Sequence, residues 1–474
     1  MPKFLLVFFI HSLCFNAQTF QYYFGNLHAH TSFSDGNRDS LQANIYGPSG
    51  SYLYAKNSQH FDFLGISEHN HFSTTKNPGF RRPRFAEGLA IASGLNQDGK
   101  FLCLYGMEYG VSSANNGHVI IYGYDQLIGW ESNVGGILGP NYDVYNGRSD
   151  YAGLFQKIKN KSGTFACLAH PYWTDFTTDG TDSTALAFAP YSAVVDSAIC
   201  GMPLRSGNAF STFTNYSDYA PLNYFNYFKK MLNQGYHLGI GYDHDNHYSN
   251  FGRSNGGRLV VLMPELSQQH LFSAMKARRF YGSDDSNAEL DFRLNGAVMG
   301  QVMRSDAYPK ISIQHLDPDG EKADTIRIWK GFRGSNAWAY TVAECLSTDL
   351  YEFTDKNVIP GREYYYFCEL RQKDGQWMVT SPIWYTGSQL LGTHDFSEDW
   401  PVQWTYFPIQ QTVACSSSYP SSIRLTIMTV TGKEQLTEVW EEGQKQIDVS
   451  SLAPGIYLLQ FSTGNQRRCF KLIR

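Results

Sequence analysis

His28 and His30 stand one residue apart in "GNLHAHTSFSDG", and Asp35 follows five positions later. Alternate side chains of an extended strand share a face, so the two imidazoles would point to one place. With a carboxylate nearby they make a divalent metal site conceivable. Taken alone, the stretch reads as readily as a partly exposed strand end.

The same side-chain types recur where apolar runs stop. Glu68 and His69 end "FDFLGISEH", Glu108 ends "FLCLYGME", His170 ends "GTFACLAH", and Asp243, His244, Asp245 and His247 close "LGIGYDHDNH". His118 precedes "VIIYGY". A hairpin with the preceding run would bring it to the same edge as Glu108. Asp245 and His247 repeat the i, i+2 spacing of His28 and His30. Imidazole and carboxylate donors together suit zinc, manganese or iron, and a carboxylate can bridge two ions. A single strand-end histidine is usually a hydrogen-bonded structural residue, but two paired spacings with four further donors point to a multinuclear metal site.

Short apolar strands alternating with helix-like segments must position these donors. The strand candidates are "FDFLGIS", "KFLCLYGME", "HVIIYGY", "GTFACLAH" and "YHLGIGYD". Helices are expected over Tyr151 to Lys161, over Leu222 to Asn233 before Gly235, and from a Ser267 cap to about Arg279. Alternation of this kind predicts an α/β domain with its chemistry at the C-terminal strand ends. The Gly/Asn/Tyr-rich stretches 129–149 and 174–221 read as loops, of a length that often covers an active site.

Beyond residue 300 the pattern becomes alternating runs such as "KISIQHL" and "REYYYFCEL", as in a small all-β sandwich, and the tail carries further alternating strands with turns at Thr431-Gly432 and Gly464-Asn465. The first residues, "MPKFLLVFFIHSLCFNA", have the charge, apolar run and small-residue end of a signal peptide. The expected boundaries are 1–17 signal peptide, 18–300 catalytic domain, 301–390 β-sandwich and 391–474 C-terminal β module. No later segment reads as transmembrane.

With 474 residues and 42% hydrophobic content the chain can bury more than one core. A net charge of -5 offers no general attraction for nucleic acid or anionic membranes. Without a C-x-x-C pair, a thiolate zinc site is unsupported. Cys103 and Cys167 read as core residues, whereas Cys345 with Cys368 and Cys415 with Cys469 are candidate disulfides in an oxidising compartment.

The ordered series "LHAHTSFSDG", "GISEHNH", "GMEYG", "GHVIIYG", "LAHP" and "DHDNH" resembles the PHP family, named for polymerase and histidinol phosphatase, over roughly residues 21–300. The resemblance implies a distorted (β/α)7 PHP barrel with two or three divalent ions (zinc, manganese or iron) at its mouth, and hydrolysis of phosphate esters. One branch, similar to carbaryl hydrolases, cleaves other ester-like bonds. The resemblance further implies that His28, His30, Glu108 and Asp245 hold one ion. Asp35, His69 and a bridging Glu108 would hold a second, and His118, His170 and His247 a third. Glu68 departs from the family's usual aspartate, Asp35 stands where some members have histidine, and Asp243 and His244 crowd the last motif.

Such ions bring the pKa of a water from near 16 towards about 7, and the resulting hydroxide attacks phosphorus in line. Arg253 and Arg258, just after the last donors, are candidates to neutralise phosphoryl oxygens. Glu68 is read as an outer-shell acceptor or a general acid-base. His71, Asp243 and His244 are outer-shell or substrate-facing candidates, while His60 and His237 read as structural.

The last 75 residues or so, with "TIMTVTGK", "IDVSSLAPGIYLLQF" and "RRCFKLIR", resemble a type IX secretion C-terminal sorting domain. That resemblance implies handling by the type IX secretion machinery and release from, or attachment to, the outer surface of a Gram-negative bacterium. The expectation is a secreted metal-dependent hydrolase, foremost a phosphoesterase acting on a small-molecule or polymeric ester. Hydrolysis of a carbamate, amide or carboxylic ester at the same site, and a non-catalytic surface binding protein with structural metals, stay open.

Overall fold

The computed structural model describes residues 19–71, 81–110, 116–131, 141–173, 175–176, 191–207, 209–210, 222–249, 256–388, 402–407, 411–417, 422–441, 443–463 and 466–474. The expected signal peptide and the Gly464-Asn465 turn lie outside these residues. The chain forms two units, residues 1–387 and 388–474.

The first unit begins with β1 (Gln21–Asn26), β2 (Phe63–His69), β3 (Leu102–Tyr109), β4 (His118–Tyr122), β5 (Ile128–Gly129), β6 (Val144–Tyr145), β7 (Phe165–Ala169), β8 (Ile199–Ser206), β9 (Leu222–Asn223), β10 (Gly239–Asp243), β11 (Arg258–Met263) and β12 (Phe280–Ser283). Among these lie α1 (Ser40–Ala43), α2 (Gly47–Ser58), α3 (Arg82–Leu95), α4 (Tyr151–Asn160), α5 (Ala193–Ala198), α6 (Phe225–Gln234) and α7 (Gln268–Lys276). β2 and β3 are buried at every position, as their unbroken apolar runs require. Local chemistry sets the helix ends. Asp150 accepts from the Gly153 amide to start α4, and Ser267 accepts from the His270 amide to start α7. Gly235 ends α6 at φ 104°, a left-handed cap that suits glycine. Leu222 and Asn223, expected in that helix, instead form the short strand β9.

The unit continues with β13 (Glu289–Leu294), β14 (Ala297–Val298), β15 (Val302–Ser305), β16 (Lys310–Leu316), β17 (Ala323–Phe332), β18 (Ala339–Leu346), β19 (Leu350–Thr354), β20 (Glu363–Gln372), β21 (Trp377–Thr380) and β22 (Ile383–Gly387). One hydrogen-bonded path runs β10-β8-β7-β4-β3-β2-β1-β11-β12-β21-β20-β17-β18, and a second sheet runs β14-β13-β16-β19. Residues 301–390, read as a sandwich of their own, join the first sheet where Tyr281 and Gly282 pair with Thr380 and Val379.

This architecture overturns the expected α/β, distorted (β/α)7 PHP barrel: the unit is predominantly β and built on a large mixed sheet. The connections explain why. β3 and β4 are antiparallel, β4 is antiparallel to β7, and β11 is antiparallel to both β1 and β12. In this half, parallel pairing along the path is confined, among the described residues, to β1-β2-β3 and β7-β8-β10. A parallel barrel needs a crossover between each successive pair of strands. Among the described residues β10 ends the hydrogen-bonded path, and it packs closely against β12. There a Cβ on Gly282 would lie 2.2 Å from the Gly241 carbonyl oxygen, so only glycine fits.

The second unit comprises β23 (Val402–Phe407), β24 (Thr412–Ser417), β25 (Ile423–Thr429), β26 (Glu434–Trp440), β27 (Gly443–Asp448), β28 (Ile456–Thr463) and β29 (Gln466–Ile473). Its sheets, β23-β24-β27 and β26-β25-β28-β29, enclose Val413, Leu425, Ile427, Leu459 and Phe461.

Neither expected disulfide forms. Cys345 and Cys368 lie on β18 and β20, which flank β17 on opposite sides. Strands two apart are separated by roughly 10 Å, beyond the reach of about 7 Å that a disulfide allows. Cys415 and Cys469 belong to different sheets, the first buried and the second exposed. Cys103 is buried, whereas Cys167 is only partly so and its Sγ lies 3.4 Å from that of Cys200.

Candidate metal centre

β1 ends at Asn26, and beyond a bend at Leu27 the chain forms a single bridge between Ala29 and Asn246. The Ala29 carbonyl accepts from Ser67 and the His30 amide donates to the Asn246 carbonyl, so the backbone is held on both sides. Asn26 adds a clamp: its Oδ1 accepts from the amides of His28 and His244, and its Nδ2 donates to the His28 carbonyl. His28 and His30 therefore share a face, with Nε2 atoms 3.3 Å apart. Parallel pairing sets His69 beside Glu108, and the β3–β4 hairpin brings His118 to the same edge. His170 follows β7, and Asp245 and His247 follow β10.

Three sets of donors result, each with atoms within 4.8 Å of one another: His28, His30, Glu108 and Asp245; His30, Asp35, His69 and His247; Glu108, His118 and His170. In the first, His28 Nε2 is 3.3 Å from Glu108 Oε1 and 3.2 Å from Asp245 Oδ1, while His30 Nε2 is 3.1 Å from Asp245 Oδ1. In the second, Asp35 Oδ1 lies 3.2 Å from His247 Nε2 and 3.5 Å from His69 Nε2. In the third, Glu108 Oε1 lies 2.7 Å from His118 Nδ1 and 3.1 Å from His170 Nε2. This grouping differs from the one the family resemblance implied. His247 stands with Asp35 and His69, not with His118 and His170, and His30 is shared where Glu108 was expected as the bridge.

The donor chemistry fits divalent ions. Asp35 Oδ1, His69 Nδ1 and Nε2, Glu108 Oε2 and His247 Nε2 are buried yet make no hydrogen bond, although they approach other donors to between 3.0 and 3.5 Å. Lone pairs converging at this range leave buried polar groups unsatisfied, and a cation between them removes that cost. Burial raises the Glu108 carboxyl, but His118, His28 and His69 outweigh it and hold the group well below the ordinary carboxylate range. Burial likewise opposes charge on His30, yet the neighbouring carboxylates of Asp245 and Glu108 raise it to about 10. His69 is lowered to about 4, first by burial and then by His30.

A second layer holds these donors. His28 Nδ1 lies 3.2 Å from Asp243 Oδ2, and Asp243 Oδ1 accepts from Ser206 Oγ. Glu68 is fully buried and accepts from the Thr31 amide and from the hydroxyls of Thr31 and Ser34. It thus fixes the loop leading to Asp35, and burial pushes its carboxyl up to about 7. His244 Nε2 donates to the Gly257 carbonyl (2.6 Å), and His71 stacks on His69. His237 lies in a separate pairing with Asp196 and Glu363, and His60 is exposed.

The expected arginines fare differently. Arg253 lies outside the described residues. Arg258 starts β11 with its guanidinium over Phe61 and donating to the Gly256 and Gly257 carbonyls. Among the described residues, Arg38 lies at the donors, and sequence reasoning missed it. Its Nη2 is 2.7 Å from Asp35 Oδ2, its guanidinium lies over Phe210, and its amide donates to the His247 carbonyl. Its place three residues after Asp35 was the available signal.

Access is uneven. His170 and Asp245 have the most exposed side chains of the three sets, at 25% and 12%. Both also hold positive φ, 28° and 49°, uncommon for non-glycine residues and recurrent at functional sites.

A model of the secretion system C-terminal sorting domain matches residues 407–474. The tail is thus a type IX sorting domain that engages the type IX secretion machinery, and the protein is secreted or attached to the surface of a Bacteroidetes-type Gram-negative bacterium. Among the described residues no helix is long and apolar enough to cross a membrane. No curated protein matches the chain. Among solved structures, it is similar to the BSP domain of a biofilm associated protein at 10% identity and TM-score 0.15, covering 39% of this chain and 29% of that one. Similarity to the FN1-FN3 domains of chicken CNTN1 reaches 14% identity and TM-score 0.14 over 35% and 62% of the two chains. Fibronectin(III)-like modules of Clostridium thermocellum CbhA align at 10% identity and TM-score 0.15 over 38% and 93%. The chain therefore spans less than two thirds of the first two, and likenesses of this size carry no argument about fold or activity.

Proposed function

We propose that the protein is a secreted metal-dependent hydrolase, foremost a phosphoesterase. The observation that carries this reading is the sharing of His30 and Glu108 among three sets of buried donors, several of whose atoms lack any hydrogen-bond partner. His28, His30, Glu108 and Asp245 would hold one divalent ion, His30, Asp35, His69 and His247 a second, and Glu108, His118 and His170 a third. When bound, such ions supply an activated water and neutralise charge on the attacked group. The chain's own residues do the rest. Asp243 orients the His28 ring, Glu68 fixes the approach to Asp35, and the exposed edges of His170 and Asp245 mark the side open to substrate. Arg38, with its side chain 35% exposed, supports an anionic substrate. The ordered motifs resembling the PHP family support the same chemistry, although the fold departs from that family's barrel.

The test is a panel of a phosphomonoester, a phosphodiester and a carboxylic ester, run on the mature protein with His30→Ala and Asp245→Ala alongside. Cleavage of a phosphate ester that both substitutions reduce at least a hundredfold is expected. Cleavage of the carboxylic ester alone would move the reading to carboxylic ester chemistry, and no cleavage of any member would overturn the hydrolase.

A further inference from the structure

β7 and β8 are paired over a short stretch. Ala166 pairs with Ile199 and Cys167 with Gly201, and the register shifts between them, which leaves Cys200 as an extra residue beside Cys167. Both strands support the candidate metal centre, since His170 follows β7 and Ser206 on β8 holds Asp243. A link across this joint would therefore hold two parts of the centre's frame together.

Cys167 and Cys200 meet at the joint, with Sγ atoms 3.4 Å apart. They also point to the same side of the sheet. Both pack in the apolar cluster that contains Phe165, Leu259 and Phe280, whereas their neighbours Ala166, Leu168, Ile199 and Met202 pack in the cluster on the other side. Adjacent strands lie about 4.8 Å apart, within the range of about 4.4–6.8 Å that the Cα atoms of a disulfide span. Bringing the sulfurs to a bond of about 2.05 Å takes a small rotation of the two side chains and leaves the strands in place. Cys345 with Cys368, across an intervening strand, has no such geometry.

We propose that Cys167 and Cys200, thiols in this structure, are joined by a disulfide bond in the exported protein. The sorting domain takes the chain out of the cytoplasm, into compartments where disulfides form and persist. The bond forms by exchange with an oxidising disulfide of the cell envelope. One cysteine thiolate attacks that disulfide and releases one of its sulfurs, and the other cysteine then attacks the mixed disulfide and releases the second. The protons of both cysteines end on the two released thiols, and the oxidant takes up the two electrons. Contact with Cys200 first, and burial next, hold the Cys167 thiol well above its ordinary range, so the exchange belongs to the stage before the sheet closes. Once made, the bond ties β7 to β8, and it depends on neither bound metal nor the hydrolase reading.

The experiment is peptide mapping, without reduction, of the mature protein recovered outside the cell and denatured in a thiol-alkylating agent. Cys167 and Cys200 are expected in one linked pair of peptides that carries no alkyl group on either residue and separates on reduction. Alkylated Cys167 and Cys200 in the unreduced protein, or a link from either to another cysteine, would overturn the proposal. Thermal unfolding in a metal chelator then reads the bond without the histidine centre. Prior reduction with a phosphine should lower the wild-type Tm by about 5 °C and leave a Cys167→Ala, Cys200→Ala chain unchanged. An unchanged wild-type Tm, or an equal fall in both, would contradict a bond that ties the strands. If the double variant does not fold, the mapping of wild type decides.

Discussion

Asp243 Oδ2 stands 3.2 Å from Nδ1 of His28, while Nε2 of the same ring faces Asp245 and Glu108. A carboxylate on one ring nitrogen fixes the tautomer that leaves the other nitrogen's lone pair free for a cation. Asp243 is itself held by Ser206, from the neighbouring strand β8. Asp243→Asn is expected to leave the fold intact and to lower metal affinity by about 10- to 100-fold. Competition against a chromophoric chelator reads this directly, and an unchanged affinity would remove Asp243 from the site.

Metal should also stabilise the fold. The unpartnered donors are buried in the folded chain and hydrated in the unfolded one, so ions bind the native state selectively. Free metal at a hundred times its Kd should add about 2.7 kcal/mol per site. Differential scanning calorimetry of chelator-treated protein, with and without zinc or manganese, should show a concentration-dependent rise in Tm. A Tm that ignores metal would count against native-state binding.

Away from the centre, His237 makes stability depend on pH. Burial opposes its charge, but Asp196 at 3.1 Å and Glu363 at 3.2 Å raise its pKa from 6.5 to about 9. The folded state therefore holds the proton more tightly than the unfolded chain does. The resulting stabilisation is complete below about pH 6.5 and lost as pH rises through 9. Allowing for partial solvent screening, the loss is about 1–2 kcal/mol. Urea unfolding at pH 6 and pH 9.5 should show it in wild type and not in His237→Gln.

The donors were legible because they cap apolar runs: β2, β3, β4, β7 and β10 all appear where the runs predict strands. The fold was not, because strand direction is not written in an apolar run. The hairpin of "LCLYG" with "HVIIY" was expected and forms, but nothing in the runs tells that β4 pairs antiparallel with β7 too, or β11 with β1 and β12, and these pairings break the expected alternation. β8 was hidden in a stretch read as loop, since its proline, serine and glycine mask the buried Ile199, Met202 and Leu204. α2 was hidden by glycine, serine and a proline near its start, yet it buries Tyr52 and Ala55. The partition of donors eluded sequence for another reason. Which side chains share an ion depends on distances across strands, and His247 meets Asp35 only through the turn after β10.

The tail makes a prediction about place. A chain ending at Gly387 lacks the unit that carries the sorting domain, residues 407–474. It should accumulate in the periplasm, whereas the full chain reaches the surface or the medium. Cell fractionation with an antibody to the first unit distinguishes the two, and surface delivery of the shortened chain would assign sorting elsewhere.

Glu108 meets His28, His30, His69, His118 and His170 at 2.7–3.3 Å, so the account stands on it. The decisive measurement is elemental analysis of the mature protein and of Glu108→Gln, after dialysis against zinc and against manganese. Two or three ions per wild-type chain, with at least one lost on substitution, is the result expected. A wild-type chain that retains none, or a Glu108→Gln chain that retains them all, would contradict a multinuclear centre.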